Sequence, residues 1–463
     1  MPILPAALCA VLSGVAFYFS TGLGDIWPLA WIAPVPVLWL AFRPGNAWIA
    51  LAAAGAAGMM GALNLLPAYL GIMPTLALVV IIVLQGLGLA LCVAGARLVA
   101  LRLSPLSGAL AFAASWTTLD FLAAQGPHGS ALSPAYSQVG MPILIQGASV
   151  FGIWIVTALL GLFAAGIAAS AATRRLAPAL MAAAALLLNV GYGGWRMTGA
   201  PRTAVTRIGL AADDALAASG RDRDEKSTLA VTDSYAEAAR SFGTEGVSLV
   251  VFPEKIAVVT PESSGTVNAE FETDAHIAHE TIVVGLDHRG AQRQNVARIF
   301  FANGAPPMSY AKRHLVPGLE DAFVPGKGSF MLANHTGVAI CKDMDFPQTL
   351  RTDALLHPTL YAVPAWDFGA DAWWHARLAI MRGVENGFSV ARAARQGLLT
   401  LSDAYGRVLG EQHSGAAGMA TLVGDLPRGP GRTLYGRIGD TFAWFCMGLC
   451  VGLVGFAFAR GRQ

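Results

Sequence analysis

Long apolar runs without charge constrain this chain most. A helix needs about 20 apolar residues to cross the hydrocarbon core of a bilayer. Runs of that order lie at Ile3 to Thr21, Ile26 to Phe42, Ala47 to Leu66, Thr75 to Val99, Leu106 to Ala124, Ile145 to Ala169 and Leu176 to Gly194, and an eighth at Thr441 to Ala459. Between them, from Pro201 to about Leu434, the charge density and punctuation are those of a water-soluble domain. The expected organisation is a membrane domain of seven spans at 1–199, a soluble domain at 200–434, and a last span with a short tail at 435–463. Composition agrees: 55% of the 463 residues are hydrophobic and 13% charged. A net charge of +2, with no basic cluster, gives no sign of a nucleic-acid partner.

The first run has neither a basic leader nor a small-residue cleavage site, so it reads as a retained helix. Orientation follows from arginine, which is retained in cytoplasmic loops. With the N-terminus inside, the inner loops and tail hold Arg43, Arg97, Arg102, Arg174, Arg175, Arg460 and Arg462. The outer loops near Asp25, Pro67 to Pro74 and Gln125 to Met141 hold no Lys or Arg. Seven spans before the soluble domain then place it outside the cytoplasm, on the periplasmic side of an inner membrane where the cell has two.

That placement bears on cysteine. Cys9, Cys92, Cys446 and Cys450 fall within expected spans, where the residue behaves as a small hydrophobe. Cys341 stands alone in the soluble domain, without a disulfide partner there. In an oxidising compartment a lone thiol is a liability unless it is buried or used.

The soluble stretch alternates strand-like and helical segments, which suggests layered α/β architecture. An acid, a base and a thiol each follow a strand: Glu254 in VVFPEK, Lys312 in YAKRHLVPGLE and Cys341 in VAICKDMDFP. Strand ends are where α/β proteins collect active sites. These three segments, in this order, resemble the Glu, Lys and Cys motifs of the carbon-nitrogen hydrolase (nitrilase) superfamily. Together with the seven leading spans and one trailing span they are similar to the apolipoprotein N-acyltransferase family. The likeness extends to WPLAWIAPVPVL, SPAYSQ with PILIQGASVFGIW, QNVA, RGVENGFSVARAARQG and RTLYGRIGD. It implies a helical membrane bundle joined to an αββα nitrilase-like sandwich.

The chemistry accounts for the residue types. A thiol becomes a nucleophile when a base takes its proton, and attack on an ester creates an oxyanion that needs a cation or amide donors. The resemblance assigns the base to Glu254, the oxyanion cation to Lys312 and the nucleophile to Cys341, with the Lys342 amide as helper. Glu320 matches the family's second glutamate, expected to orient the lysine and assist proton transfer. The implied reaction is ping-pong: a phospholipid leaves its acyl chain on Cys341 as a thioester, and the α-amine of an apolipoprotein's S-diacylglyceryl cysteine takes it. No cofactor or metal is implied. The HxxH pair His276 and His279 lacks a third ligand.

Other residues are expected to shape the site or bind substrate. Lys342 and Asp343 follow the nucleophile where the family usually has an aromatic residue and a glutamate. This departure leads us to expect an acceptor-side role for Asp343. Trp366, in VPAWDFG where the family has an asparagine before the tryptophan, reads with Trp373 and Trp374 either as a lipid-facing lid or as core. Glu385 is expected to brace the fold or the site. Asp120, inside a span, is costly facing lipid and is expected to face the bundle interior or lie near the outer interface. The alternatives are a membrane-anchored amidase, an acyltransferase with another acceptor, or a transporter. The single acidic residue in the spans and the lack of inverted repeats speak against the last.

Overall fold

The computed structural model describes residues 3–199, 204–218, 225–415 and 418–460. The chain divides into two compact units: Met1–Gly199 with Ile438–Gln463, and Ala200–Arg437. The first is all helix: α1 (Ile3–Ser20), α2 (Pro28–Ile32), α3 (Val35–Ala41), α4 (Ala47–Ala62), α5 (Leu66–Tyr69), α6 (Thr75–Arg102), α7 (Pro105–Ala123), α8 (Pro142–Ile145), α9 (Ala148–Phe151), α10 (Trp154–Thr173), α11 (Ala177–Thr198) and a C-terminal helix Thr441–Arg460. Among the described residues seven helices are long and apolar enough to cross a membrane.

The second expected span, Ile26 to Phe42, is not a single helix. It breaks between α2 and α3, where Pro34 and Pro36 lack the N–H donors a continuous helix needs. Hydropathy does not register this, since proline is apolar enough to pass. The chain still traverses the bundle here. A Cβ on Gly14 would meet Met60 and one on Gly61 would meet Phe17, while Asn64 Nδ2 donates to the Tyr18 carbonyl at 3.0 Å. The paired numbers rise together, so α1 and α4 run parallel and the segment between them must return across. The sixth expected span likewise begins later, at Trp154, after the short α8 and α9.

Helix pairing brings the arginines to one end of the bundle. Arg97 reaches the carbonyls of Ala41, Arg43 and Gly45, the last two at 2.8 and 2.7 Å. Arg102 donates to the Ala457 carbonyl at 3.2 Å. Gly88 packs on Leu119 and Gly108 on Ala100, while Thr157 bonds Asp120 and Gly161 packs on Ala113, which makes α7 antiparallel to both α6 and α10 and puts Arg174 and Arg175 at that same end. Most buried polar groups inside the bundle are paired, as a low-dielectric interior requires, although the Ser13 and Ser20 hydroxyls of α1 have no hydrogen-bond partner. Asp120 Oδ2 accepts from Ser133 at 2.7 Å and from Thr157 at 2.6 Å. Trp31 Nε1 donates to Gln138 at 2.7 Å, tying the WPLAW segment to SPAYSQ.

The second unit is a four-layer sandwich. One sheet has the order β12 (Ala420–Pro427), β1 (Val205–Ala212), β2 (Leu249–Val251), β4 (Thr281–Arg289), β5 (Arg293–Phe300), β6 (Met308–Ala311), with β3 (Ala257–Val259) also paired to β4. The other runs β11 (Val408–His413), β10 (Leu398–Ser402), β9 (Ser389–Arg395), β8 (Leu360–Trp366), β7 (Thr336–Val338). Their inner faces meet through Leu210, Val251, Ile299, Val338, Ala362 and Leu401. The short helix α12 (Asp214–Ala218) follows β1. The longer α13 (Glu225–Thr244) and α14 (Pro261–Ala278) cover the first sheet through Tyr235, Phe242 and Phe271. On the second sheet lie α15 (Pro347–Asp353) and α16 (Ala372–Asn386), packed through Leu350 and Ala379. The parallel strands β2 and β8 read as unbroken apolar runs because both faces are covered.

One buried group in this unit carries a pH signature. Glu280, in the turn from α14 into β4, is inaccessible, and neither carboxylate oxygen has a hydrogen-bond partner. Burial, aided by the nearby Asp274 charge, lifts its pKa to about 8. An acid raised in the folded state stabilises the fold below its unfolded pKa of about 4.3, and that contribution is lost as pH climbs through the folded value. Between about pH 5 and pH 8 the wild type should therefore lose thermal midpoint that a Glu280→Gln variant keeps. Equal slopes for the two proteins in a melting series would disprove the buried neutral acid.

Candidate active site

The site forms where strands of both sheets run out. Glu254 follows β2 through Phe252 and Pro253, and its amide donates to the Ala365 carbonyl of β8 at 3.2 Å. The Glu254 segment also lies hard against β4, where a Cβ on Gly285 would fall 2.3 Å from the Pro253 carbonyl oxygen. Only glycine permits that approach. Lys312 follows β6 and is fixed at both backbone groups, its N–H on the Asn295 carbonyl at 2.9 Å and its C=O accepting from Gly326 at 2.8 Å. Cys341 begins a tight turn after β7 with φ of +40°. For a residue with a Cβ this is a sparsely populated conformation, of the kind that strained functional turns hold.

Four side chains make a buried ionic chain. Lys312 Nζ lies 2.9 Å from Glu254 Oε1 and 2.7 Å from Glu320 Oε2. Glu320 Oε1 in turn lies 2.7 Å from Lys255 Nζ. Glu254, Lys312 and Glu320 are each at most 2% exposed. Charges so deep persist only when paired and hydrogen-bonded. Asn295 supplies the extra bonds, donating from Nδ2 to Glu254 and, at 2.7 Å, to Glu320, and the Val316 amide adds a bond of 2.9 Å to Glu320. Since both partners of the amide nitrogen are carboxylates, the opposite amide orientation would set oxygen against oxygen.

The electrostatics follow from this packing. Burial alone would strip the Lys312 proton, but Glu254 and Glu320 outweigh it and hold the ammonium well above its usual range. Burial also works to neutralise Glu320, and Lys312 and Lys255 overcome it, keeping the carboxylate ionised. The Cys341 thiol is pushed up by burial and by the Glu254 charge, with Lys312 opposing. At rest it is a thiol, and its Sγ donates to the Trp366 carbonyl at 3.5 Å. A second buried pair, Asp367 with Arg392 at 3.0 Å, sits beside it.

Of the residues expected from sequence, Glu254, Lys312 and Glu320 are in direct contact, and Cys341 shares the end of β8 with Glu254. Trp366 ends β8, with its ring 5.0 Å from Lys255 Nζ and 3.6 Å from the Arg395 guanidinium. Trp374 is core at 3% exposure, and Trp373 packs on Ala372, Ala376 and Leu398. Lys342 is buried, 3.5 Å from Asp345. Glu385 lies at the end of α16, paired with Arg382 at 2.9 Å. His276 bonds the Ala302 carbonyl. Sequence reasoning missed Lys255, Asn295 and the Asp367–Arg392 pair. Lys255 and Asn295 sat in the quoted FPEK and QNVA segments, and only their position beside Glu254 and before Lys312 marked them.

Comparisons with known proteins bear on both units. Residues 13–166 match the family model described as the apolipoprotein N-acyltransferase N-terminal domain, and residues 215–427 match carbon-nitrogen hydrolase. Apolipoprotein N-acyltransferase of Azotobacter vinelandii is 26% identical over 405 residues, 78% of this chain and 74% of that protein. The enzyme of the same name from Methylococcus capsulatus is 29% identical over 46% of this chain and 47% of its own length. That from Geobacter metallireducens is 29% identical over 32% of this chain. The chain therefore spans 29% and 47% of the length of two of these relatives. Among solved structures, an amidase from Nesterenkonia sp. aligns with a TM-score of 0.44 at 24% identity, covering 53% of this chain and 98% of that one.

The acceptor-side role expected for Asp343 meets a physical obstacle. Its carboxylate is inaccessible and already accepts from Tyr310 at 2.6 Å, Ile340 N at 3.0 Å, Arg313 N at 3.1 Å and His314 N at 2.9 Å. It clamps the segment after Lys312 to the turn that carries Cys341. Asp343→Ala would strand these donors, costing on the order of 3 kcal/mol of stability. It should slow iodoacetamide labelling of Cys341 and acyl loading together, and not acyl departure alone. A variant that loads at the wild-type rate but transfers slowly would restore the acceptor-side reading.

Proposed function

We propose a function on the premise that this chain belongs to the carbon-nitrogen hydrolase superfamily and joins to that domain the N-terminal membrane domain of the apolipoprotein N-acyltransferases: it is a membrane-embedded acyltransferase. The observation that carries this reading is the buried Glu254–Lys312–Glu320 cluster at the strand ends beside Cys341, in a chain whose other unit consists of helices of membrane-spanning length.

The first half-reaction begins with an acyl ester. Glu254 takes the Cys341 proton as the sulfur attacks the ester carbonyl carbon, and the developing oxyanion is held by the Lys312 ammonium in a dry pocket. The carbon–oxygen bond then breaks, and Glu254 returns the proton to the departing alkoxide. The acyl group remains on sulfur as a thioester. In the second half an amine attacks that carbonyl, Glu254 accepts the amine proton, and the carbon–sulfur bond breaks as Glu254 hands that proton to the departing sulfur, leaving an amide and the free Cys341 thiol. Asn295 and Glu320 fix the geometry without exchanging atoms.

A phospholipid donor and an S-diacylglyceryl cysteine acceptor fit the membrane unit, since both carry acyl chains that stay in the bilayer. Leu319 and Val324, both exposed, flank Glu320 on its loop, as suits an apolar substrate. The clustering of Arg43, Arg97, Arg102, Arg174 and Arg175 at one end of the bundle supports that end as cytoplasmic. The links after Thr198 and before Thr441 leave from the other end, where Arg196 alone among these helices' terminal turns is basic. The α/β unit is thus proposed to lie outside the cytoplasm, at the inner membrane of a two-membrane cell.

Two tests follow. Purified protein given phospholipid alone should gain one fatty acyl mass, cleaved by neutral hydroxylamine. Cys341→Ser, Glu254→Gln and Lys312→Ala should each reduce that adduct by at least about a hundredfold. No adduct on wild type, in a preparation that acylates lipoprotein, rules out the covalent intermediate. Release of free fatty acid in place of transfer to a diacylglyceryl-cysteine peptide would favour a hydrolase. For sidedness, a reporter active only outside the cytoplasm should be active after Gly199 and silent after Arg175. The reverse pattern would invert the proposed orientation.

A further inference from the structure

Lys255 is the member of the ionic chain that the acyl-transfer chemistry does not use. Its backbone takes a left-handed φ of +51°, which a side-chain-bearing residue adopts only when its surroundings demand it. The ammonium is 2.7 Å from Glu320 and 3.8 Å from Glu254. It lies between two aromatic rings, 5.2 Å from the centre of Phe323 and 5.0 Å from that of Trp366. With a side chain 13% exposed, it is held and largely desolvated, unlike a surface lysine. The charges along the chain alternate as Lys255, Glu320, Lys312, Glu254. With Lys255 the four sum to zero, and without it the buried cluster beside Cys341 would carry one excess negative charge. Excess negative charge opposes both a thiolate and an oxyanion.

We propose that Lys255 is a positioning residue for this site: by neutralising Glu320 it leaves the charge of Lys312 available to the Cys341 thiolate and to the oxyanion of the acyl-transfer intermediate. The inference rests on the reading of Cys341 as nucleophile. The other charges facing the thiol are Glu254, Lys312, Asp367 and Arg392. Arg293, paired with Asp287 at 2.6 Å, and Arg395, stacked on Trp366, lie in the surrounding layer. Among these charges Glu254 also faces Lys255, at 3.8 Å, so loss of the Lys255 charge leaves both carboxylates, Glu254 and Glu320, to Lys312.

The test is the rate of Cys341 alkylation by iodoacetamide in the full-length detergent-solubilised protein, followed across the neutral and alkaline range. Lys255→Met keeps the length of the side chain and its ring contacts while losing the charge. It should raise the apparent pKa of the alkylation profile by about one unit, a roughly tenfold slower reaction below the pKa. Lys255→Arg should keep the wild-type profile. A Lys255→Met profile that coincides with wild type overturns the inference, because a purely structural lysine would alter thermal stability and not the titration. Should Lys255→Met fold poorly, the double variant Lys255→Met with Glu320→Gln restores the charge sum. Its apparent pKa should return toward wild type, and a shift as large as expected for the single variant would overturn the proposal. Alkylation needs neither donor nor acceptor. Failure of wild-type Cys341 to react faster than the membrane cysteines would therefore overturn the nucleophile reading and this inference together, whereas a reactive Cys341 indifferent to Lys255 would overturn only the latter.

Discussion

The Lys312 ammonium, buried between two carboxylates, is the interaction on which the catalytic unit depends. Removing such ions from water costs several kcal/mol apiece, and mutual attraction offsets this only with good geometry and further hydrogen bonds. That requirement organises the surroundings. Asn295 of β5 binds both carboxylates, Val316 N binds Glu320, and Lys255 closes the chain from the Glu254 side. The turn after β2, strand β5 and the loop after β6 are thereby held to one another. A hydrophobic replacement would pack as well, but it would not leave a cation in a dry pocket beside a thiol. The ionic cluster is therefore better understood as positioning than as a source of stability.

The bundle obeys the same rule with different means. Several buried polar groups there serve as cross-links between segments of the bundle. Arg97 joins α6 to the carbonyls of the turn that ends α3, Asp120 joins α7 to α10 and to the Ser133 loop, and Gln138 accepts from the Trp31 indole. Glycine closes the remaining gaps. A Cβ on Gly86 would fall 2.6 Å from the Gly55 carbonyl, so α4 and α6 meet backbone to backbone. Close approach of this kind is the main source of helix association where apolar burial offers little.

Much of the architecture was legible in the sequence because it rests on one-dimensional properties. Span lengths, the apolar runs of parallel strands and the placement of Glu254, Lys312 and Cys341 after strands all follow from local pattern. What was not legible depends on geometry. The break at Pro34 concerns a missing donor in an otherwise apolar run. Lys255 and Asn295 look like ordinary polar residues until folding sets them against two carboxylates. Asp343, two residues after Cys341, invited a substrate role, yet the tight turn rotates its carboxylate into four backbone and side-chain donors. Trp374 could be assigned to core, and Trp373 to its partly buried margin, only once α16 had been placed on the second sheet.

The raised Cys341 thiol reconciles an isolated cysteine with the oxidising compartment proposed for it. Reactivity toward oxidants follows the thiolate, not the thiol. Burial and the Glu254 charge keep the resting sulfur protonated, donating to the Trp366 carbonyl, while Lys312 is occupied by its two carboxylates. In the proposed reaction an arriving ester would change this balance: proton transfer to Glu254 removes the negative charge that opposed ionisation, and it frees Lys312 from one partner as the oxyanion appears. The same proton movement would thus create the nucleophile and unmask its stabilising cation. A site arranged in this way keeps the resting sulfur mostly as the slower-reacting thiol and raises its nucleophilicity further as a carbonyl binds, a property suited to a lone thiol in the compartment proposed for it.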